Sequence, residues 1–459
     1  MRRIPSNIAV PRFPQLEESL SNGNRLIRCT IQLVTPLFGG GPVPGEADEV
    51  TRIRGTSVRG HLRNWWRFFQ RAKFHDSMVM FQREAEIFGS VESASPVVVR
   101  IEQPHDQQAL RRQQDNYGFD RFGPEAYALF SARQNSKDLI REGASFALEL
   151  EFSNLETLQA KRRVENELLG RKNLKLLPTA VDDIESDICR ALWAWVTFGG
   201  IGARTRRGCG SLYCHQWPDK VSEQVPRNWP GPALLAGAPC ADALVAWRGA
   251  VKIYQSFRQG FRGPKHDKPL PNGRLLKGIP GRSDWPEPDS IRRLTGSAAK
   301  RPRDHTVPTV PMEAVPTFPR AVLGLPINFH FADGPGSNSP ASSQKDPADV
   351  QLVPNLGGGS GSEARLASPV ITKAVFHNGA WVPLVAILSD KHVTELSARL
   401  VGDQANAHER PPRDMDVPIR NAQIQGSQVS NLKPLSGHSD ALHAFIAYAR
   451  QNGFKDVSL

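Results

Sequence analysis

The feature of this 459-residue chain that most restricts its fold is the order in which its apolar residues change period. Segments with a two-residue alternation predict strands, and segments with a 3.6-residue period predict amphipathic helices. They occur in the order strand, helix, strand, strand, helix, strand. The segments are RLIRCTIQLVT (25–35), the helical stretch VTRIRGTSVRGHLRNWWRFFQRAK (50–73), PVVVRIE (96–102), SFALELEF (145–152), VDDIESDICRALWAWVTF (181–198) and SLYCH (211–215). This order is that of the ferredoxin-like fold, which RNA-recognition domains share, so we expect an α+β domain over about 25–217.

The first predicted helix combines one apolar face with a row of arginines. Between Val50 and Lys73 there are seven basic side chains and no acidic one. The apolar face consists of Val58, Leu62, Trp65, Trp66 and Phe69, and the opposite row consists of Arg59, Arg63, Arg67 and Arg71. A solvated helix normally interleaves acids that pair with its bases at i, i+4, so the acid-free row favours an anionic ligand. Gly55-Thr56-Ser57 ahead of the first turn predicts a hydroxyl N-cap.

A second basic segment, GGIGARTRRGCG (199–210), contains five glycines and three arginines. Glycine lets a backbone approach a ligand closely, and arginine supplies positive charge. The segment leaves a helix and enters a strand, whereas dinucleotide and Walker loops leave a strand and open a helix, and it lacks the GK[ST] ending. We therefore predict no mononucleotide cofactor, and we expect the arginines to contact backbone phosphates.

The composition of the whole chain agrees with an anionic partner. It contains 58 Lys and Arg against 46 Asp and Glu, which gives a formal net charge of +12. Nucleic acid is favoured over a membrane, because no basic amphipathic terminus, signal peptide or membrane-spanning run is present. The five cysteines show no CxxC spacing, which predicts a reducing, cytoplasmic compartment.

The second half of the chain contains helical segments at 242–257 and 441–451 and a strand at 323–331. A hairpin is predicted to turn at Asn378-Gly379, because this dipeptide favours the left-handed backbone that tight hairpins need. These elements allow a second ferredoxin-like domain, so the predicted domains are 1–220 and 221–459. Residues 332–364 are poor in apolar side chains and are predicted to be a disordered insertion.

Several motifs together resemble the RAMP superfamily of CRISPR effector proteins. The motifs are PLFGGG (36–41), IRGTSVRGHLRNWWR (53–67), EIFG (86–89), GGIGARTRRGCGSL (199–212), FPRAVLGLPINFHF (318–331) and RLASPVITKAV (365–375). Within that superfamily they most resemble the first-numbered subunit of the Cmr, or type III-B, complex. The resemblance implies two ferredoxin-like domains and a non-catalytic role near the 3′ end of the guide RNA, where the guide–target duplex is capped. The implied partners are guide RNA, target RNA and other subunits of the effector complex.

The predicted RNA-binding residues come from the two glycine-rich segments and from the arginine helix. They are Gly39, Gly40, Arg54, Ser57, Arg59, Arg63, Arg67, Gly200, Gly202, Arg204, Arg206, Arg207 and Gly208. Four tryptophans, Trp65, Trp66, Trp193 and Trp195, could stack on bases, but their helical spacing favours places in the core.

Two other readings of the sequence remain open. His61 lies beside arginines and could act as a general base in a metal-independent endoribonuclease that processes CRISPR RNA precursors, although no partner base is identifiable. The chain could also be a free-standing RNA-binding protein unrelated to CRISPR. A metal site built from Cys209, Cys214 and His215 is not predicted, because the spacing is irregular and a fourth ligand is missing.

Overall fold

The computed structural model divides into two compact units. Unit 1 comprises Met1–Asp115, Gln134–Ala203 and Gly210–Pro226, and unit 2 comprises Asn116–Arg133, Arg204–Cys209 and Arg227–Leu459. The structure describes residues 25–41, 48, 52–74, 76–91, 94–102, 110–111, 123–130, 139–153, 164, 184–262, 266–269, 275–279, 283–294, 317–329, 350–355, 365–389, 397–402, 415–418, 432–438 and 440–458. The predicted domains 1–220 and 221–459 stay a prediction.

The strands that the structure describes are short, and each has an antiparallel partner. They are β1 (Arg25–Leu33), β2 (Leu37–Phe38), β3 (Val97–Glu102), β4 (Leu110–Arg111), β5 (Leu139–Ile140), β6 (Ser145–Phe152), β7 (Leu212–Cys214), β8 (Ala233–Ala236), β9 (His266–Pro269), β10 (Leu275–Ile279), β11 (Ile327–Phe329), β12 (Val350–Asn355), β13 (Val370–His377), β14 (Ala380–Ile387), β15 (Ser397–Gly402), β16 (Met415–Pro418) and β17 (Lys455–Asp456).

The α-helices lie between these strands. They are α1 (Gly55–Gln70), α2 (Ser77–Phe88), α3 (Pro124–Ala128), α4 (Ile184–Phe198), α5 (Asp219–Ser222), α6 (Ala243–Gln259), α7 (Glu287–Leu294) and α8 (Ala441–Gln451). Short 3₁₀ turns occur at Arg71–Lys73, Thr205–Arg207 and Pro319–Leu323.

Unit 1 is built on an antiparallel sheet with the order β3-β6-β1-β7. On one side of β1, Arg25 pairs with Phe152 of β6, and on the other side Ile31 pairs with Cys214 of β7. Along the chain, α1 follows β1 and α4 follows β6, as predicted. The two helices pack against each other. A smaller sheet of order β2-β5-β4 completes the unit. The structure therefore confirms the six predicted segments and their order.

The core of unit 1 lies between this sheet and the two helices. Alternate residues of β1 from Ile27 to Leu33 point into it, as the two-residue period requires. The four tryptophans named above are all buried in it, which confirms the predicted places in the core and leaves their rings unavailable for stacking on a base. The apolar face of α1 differs at one position, because Phe68 is buried and Phe69 is only half-buried.

Unit 2 repeats the same order of elements. Its sheet is β13-β14-β8-β17, and along the chain these strands alternate with α6 and α8 as β8, α6, β13, β14, α8, β17. The predicted hairpin turn is confirmed, since Asn378 and Gly379 have φ values of 49° and 79° between β13 and β14. A second sheet of order β11-β12-β15-β16 and the β9–β10 pair also belong to this unit.

The prediction of a disordered insertion over 332–364 is wrong for one segment within it. The six residues of Val350–Asn355 form β12, which pairs with β11 and β15. Val350 and Leu352 are fully buried in the core of unit 2. The low apolar content of the surrounding residues obscured this short strand. The remaining residues of the predicted insertion lie outside the described residues.

A candidate nucleic-acid interface

A groove of about 700 Å³ lies in unit 1 between the start of α1 and the edge strand β3. Among the strands that the structure describes, β3 lies at the end of the sheet and pairs on one side only, with β6. The lining residues are Asp48, Arg54, Gly55, Thr56, Arg59, Ser95, Val97, Val98 and Val99. The groove therefore combines an apolar wall with two arginines and the first turn of a helix, and it contains two of the predicted RNA-binding residues.

The start of α1 differs from the predicted hydroxyl cap. The N-cap residue is Arg54, whose side chain makes no capping hydrogen bond, and Thr56 and Ser57 lie in the first turn with exposed side chains. Arg54 instead pairs with Asp48, with its Nη2 at 2.7 Å from Oδ2. The predicted cap was wrong because the helix begins at Gly55, so its two hydroxyl residues fall inside the helix.

Arg59 is anchored inside the groove. Its guanidinium donates to the carbonyl oxygen of Val97 at 3.4 Å and to that of Phe88. Burial lowers the pKa of Arg59, and repulsion from Arg63 lowers it further. The side chain keeps its charge at neutral pH, because an arginine pKa starts far above 7. Arg59 is therefore a fixed positive charge on the groove wall.

The arginine row that continues along α1 is partly neutralised by an acid of the next helix. Glu84 of α2 accepts from Arg63 Nε at 2.6 Å and from Arg67 Nη2 at 2.6 Å. The Glu84 side chain is 1% exposed, whereas those of Arg63 and Arg67 are 34% and 48% exposed. The three groups together keep one net positive charge, and part of each guanidinium remains open to solvent.

The glycines of the two glycine-rich segments in unit 1 pack against each other. The Ala203 N–H donates to the Phe38 carbonyl at 2.8 Å. Gly39 and Gly202 have φ values of 72° and 85°, and a Cβ on Gly202 would lie 2.6 Å from the Phe38 oxygen. Gly40 also has a positive φ, and the Gly200 carbonyl accepts from the Trp195 indole at 3.1 Å. These close internal contacts account for glycine at these positions, so a bound ligand is not needed to explain them.

The three arginines of 199–210 belong to unit 2 and face its interior. Arg204 donates to the carbonyl oxygens of Tyr127, at 3.1 Å, and Ala128. Arg206 donates to the carbonyl oxygen of Ser368, and Arg207 donates to that of Val370 at 2.8 Å. A Cβ on Gly208 would lie 2.6 Å from Trp247 Cδ1. The loop arginines therefore differ from the arginines of α1, which lie at the groove or are partly open to solvent.

The arginine side chains on the sheet face of unit 1 that carries Arg28 and Arg100 form ion pairs with glutamates. Arg28 pairs with Glu102 at 2.9 Å and with Glu149 at 3.5 Å, and Arg100 pairs with Glu151. RNA-recognition domains stack bases on aromatic side chains at this face. The three carboxylates would repel phosphates, so the groove beside α1 is a better candidate for RNA than the sheet face.

His61 is half-buried at the side of α1. Its ring stacks on Trp195, with centroids 5.8 Å apart and an interplanar angle of 12°. Burial lowers the pKa of His61, so the ring is neutral at pH 7. Within the described part of the chain no hydrogen-bond partner holds either ring nitrogen. A general base needs such an orienting partner or access to its substrate.

Replacing His61 tests this structural role. We expect His61→Ala to lower the free energy of unfolding by about 1–3 kcal/mol through lost packing, while RNA cleavage by an assembled complex stays unchanged. Because folding lowers the His61 pKa, wild-type stability should fall as the pH drops below about 6.5, and His61→Phe should lack this dependence. Urea unfolding at pH 5 to 8 and a cleavage assay measure these effects. Loss of cleavage in the folded His61→Phe variant would support catalysis instead.

Other site classes gain no support from the structure. Across the described residues, no group of three or more His, Cys, Asp or Glu side chains is arranged to hold a metal ion. All five cysteines are free, and none of the helices that the structure describes is both long and apolar enough to cross a membrane.

Comparison with known proteins gives one match at the level of a family. The family model of the RAMP superfamily matches residues 30–213, and no curated protein matches the chain. Among solved structures, the crystal structure of apo Cmr1 from Pyrococcus furiosus aligns with 14% identity and a TM-score of 0.41, covering 79% of this chain and 87% of that chain. A chain of the type III-B Cmr-beta complex bound to cognate target RNA and AMPPnP aligns with 11% identity and a TM-score of 0.33, covering 90% and 98%. Residues 30–213, which are similar to the RAMP superfamily by this match, include part of β1, all of α1, the groove and the loop 199–203.

Proposed function

We propose that the chain is a non-catalytic, RNA-binding structural subunit of a type III-B CRISPR interference complex. It holds the 3′ region of the guide RNA, the guide–target duplex, or both. Its other partners are neighbouring subunits of the complex, and it needs no cofactor. The free cysteines agree with a cytoplasmic location.

The observation that carries this proposal is the RAMP-superfamily match over residues 30–213. That segment contains the arginine helix and the groove beside it. The motifs at 318–331 and 365–375, which resemble the second half of the type III-B subunit, extend the argument to unit 2.

The two sheets support two ferredoxin-like domains. Each unit has a four-stranded antiparallel sheet, and in both the second and third strands lie on one side and the first and fourth on the other. In both units two of the helices follow the first and third of these strands. This repetition is what a pair of βαββαβ domains requires.

RNA contact is proposed along one side of α1. Arg54 and Arg59 provide the charges in the groove, and the exposed Thr56 and Ser57 hydroxyls can donate to phosphate oxygens. Arg63 and Arg67 extend the line of guanidiniums, and the distance from Arg59 to Arg67 along the axis is about 12 Å at 1.5 Å per residue. The contacts are to phosphates, so we expect little dependence on base sequence.

Purification of the tagged chain from its native host, with sequencing of the bound RNA, tests the proposal. We expect guide RNA with a fixed repeat-derived part, together with other subunits of an effector complex. A diverse RNA population without partner subunits would show a free-standing RNA-binding protein. Cleavage of a guide precursor by the purified chain alone would show the endoribonuclease.

A further inference from the structure

Unit 2 contains a cluster of arginines with far fewer acids than bases. Arg204, Arg206 and Arg207 come from the loop, Arg258 comes from α6, and Arg320 comes from the turn Pro319–Leu323. Arg320 pairs with Glu287, with its Nε at 3.1 Å from Oε1. Among the residues that the structure describes, the other four arginines form no ion pair with a carboxylate.

Three of these guanidiniums meet around two tyrosines. The Arg207 guanidinium carbon lies 3.8 Å from the centroid of the Tyr254 ring, and that of Arg258 lies 5.6 Å from the same centroid. Arg258 Nη1 donates to the Tyr127 hydroxyl at 3.3 Å, and Arg204 Nη2 donates to the Tyr127 carbonyl at 3.1 Å. The three positive charges are therefore close together inside one unit.

Burial removes much of the hydration of these charges, and no carboxylate within the described ranges pairs with them. Arg207 is 7% exposed. Burial lowers the pKa of Arg204 and of Arg206, and repulsion from Arg207 lowers both further. Burial also acts to lower the pKa of Arg258, but its attraction to the two tyrosines outweighs this and raises the pKa. Backbone carbonyls and tyrosine rings offset part of the lost hydration, but they carry no net negative charge. Buried charges in proteins are normally paired, so a cluster of four unpaired arginines is short of an anion.

We propose that unit 2 binds a phosphate oxyanion at Arg204, Arg207 and Arg258, with the Tyr127 hydroxyl as a further hydrogen-bonding group. Guanidinium groups match phosphate because their planar N–H donors bind two oxygens at once. A divalent phosphate would neutralise about half of the unpaired charge. The anion is either free inorganic phosphate or a phosphodiester of bound RNA, and the site uses none of the α1 residues.

Thermal unfolding of the full chain with inorganic phosphate, at ionic strength matched with chloride, tests the site. Since a ligand that binds only the folded state stabilises it, we expect the midpoint to rise by about 2 °C or more when phosphate reaches tens of its dissociation constant. Isothermal titration with inorganic phosphate gives that constant directly. The same midpoint in phosphate and in chloride would overturn the proposal.

Two variants on α6 give a matched comparison. Arg258→Gln should weaken phosphate binding about tenfold or more, because one charged hydrogen-bonding group is lost. Arg248→Gln removes the same charge from the same helix, but Arg248 pairs with Glu125, so phosphate binding should be retained. If Arg258→Gln does not fold, Arg204→Gln replaces it. Equal weakening by Arg248→Gln and Arg258→Gln would contradict the site.

Single-stranded RNA distinguishes the two sources of phosphate. If saturating RNA abolishes the phosphate-dependent shift in the wild type and Arg258→Gln also weakens RNA binding, the site holds a phosphodiester. If the shift persists in saturating RNA, the site holds free phosphate. Both results depend on the arginines of unit 2, so they test this site independently of the RNA contacts proposed for α1.

Discussion

Gly202→Ala is expected to lower the free energy of unfolding of unit 1 by roughly 2–5 kcal/mol. Gly202 has φ of 85°, and an added Cβ would lie 2.6 Å from the Phe38 oxygen and 3.1 Å from Leu37 Cγ. The left-handed backbone costs an alanine about 1–2 kcal/mol, and the overpacked contact adds about 1–3 kcal/mol. Urea unfolding followed by tryptophan fluorescence, which reports the buried tryptophans of α1 and α4, measures the loss.

Gly143→Ala is the control for this variant. Gly143 has φ of 93°, but nothing lies within 4 Å of the position of its added Cβ. We expect only the backbone cost of about 1–2 kcal/mol. Equal losses for the two variants would mean that the close packing between the two glycine-rich segments does not constrain the fold.

Glu84→Gln is expected to tighten RNA binding while it destabilises the protein. The change removes the carboxylate that Arg63 and Arg67 share, so both guanidiniums become free to contact phosphates. The salt dependence of single-stranded RNA binding should steepen by about 0.7 per added contact. Stability should fall by about 1–2 kcal/mol, a figure reduced for the solvent exposure of both arginines. Fluorescence anisotropy at several salt concentrations and urea unfolding measure the two effects.

Glu86→Gln separates this effect from a general change of charge. Glu86 lies on the same helix and pairs with Arg83 at 3.0 Å, so its replacement removes one negative charge without releasing an arginine of α1. We expect an unchanged salt slope. A slope that steepens equally in both variants, or in neither, would show that Glu84 does not restrain the RNA contacts.

Local periodicity was enough to predict many of the helices and strands that the structure describes. The alternation in β1 and the helical period in α4 each depend only on neighbouring residues, and the Asn378-Gly379 turn follows from the backbone preference of two residues. The strand Val350–Asn355 was missed, because its six residues lie within a long polar stretch whose average composition predicts disorder.

The chemistry of the site was harder to predict, because it depends on pairs that are distant in sequence. The arginine row of α1 is free of acids within its own helix, but Glu84 reaches it from 17 and 21 residues away. Arg206 meets the Ser368 carbonyl across 162 residues. Such pairs form only when the chain folds, so a count of nearby charges overestimates how many arginines are available to a ligand. The groove wall at Val97–Val99 was missed for the same reason.

The salt dependence of RNA affinity in an Arg54→Gln/Arg59→Gln variant tests the central claim most directly. The matched control is Arg28→Gln/Arg100→Gln, which removes the same charge from the ion-paired sheet face of the same unit. If the groove beside α1 holds RNA phosphates, the slope of the groove variant falls by up to roughly 1.4, at 0.7 per lost contact with a single strand, and that of the control stays at the wild-type value. Equal slopes in the folded wild type and groove variant, or an equal fall in the control, would contradict the claim.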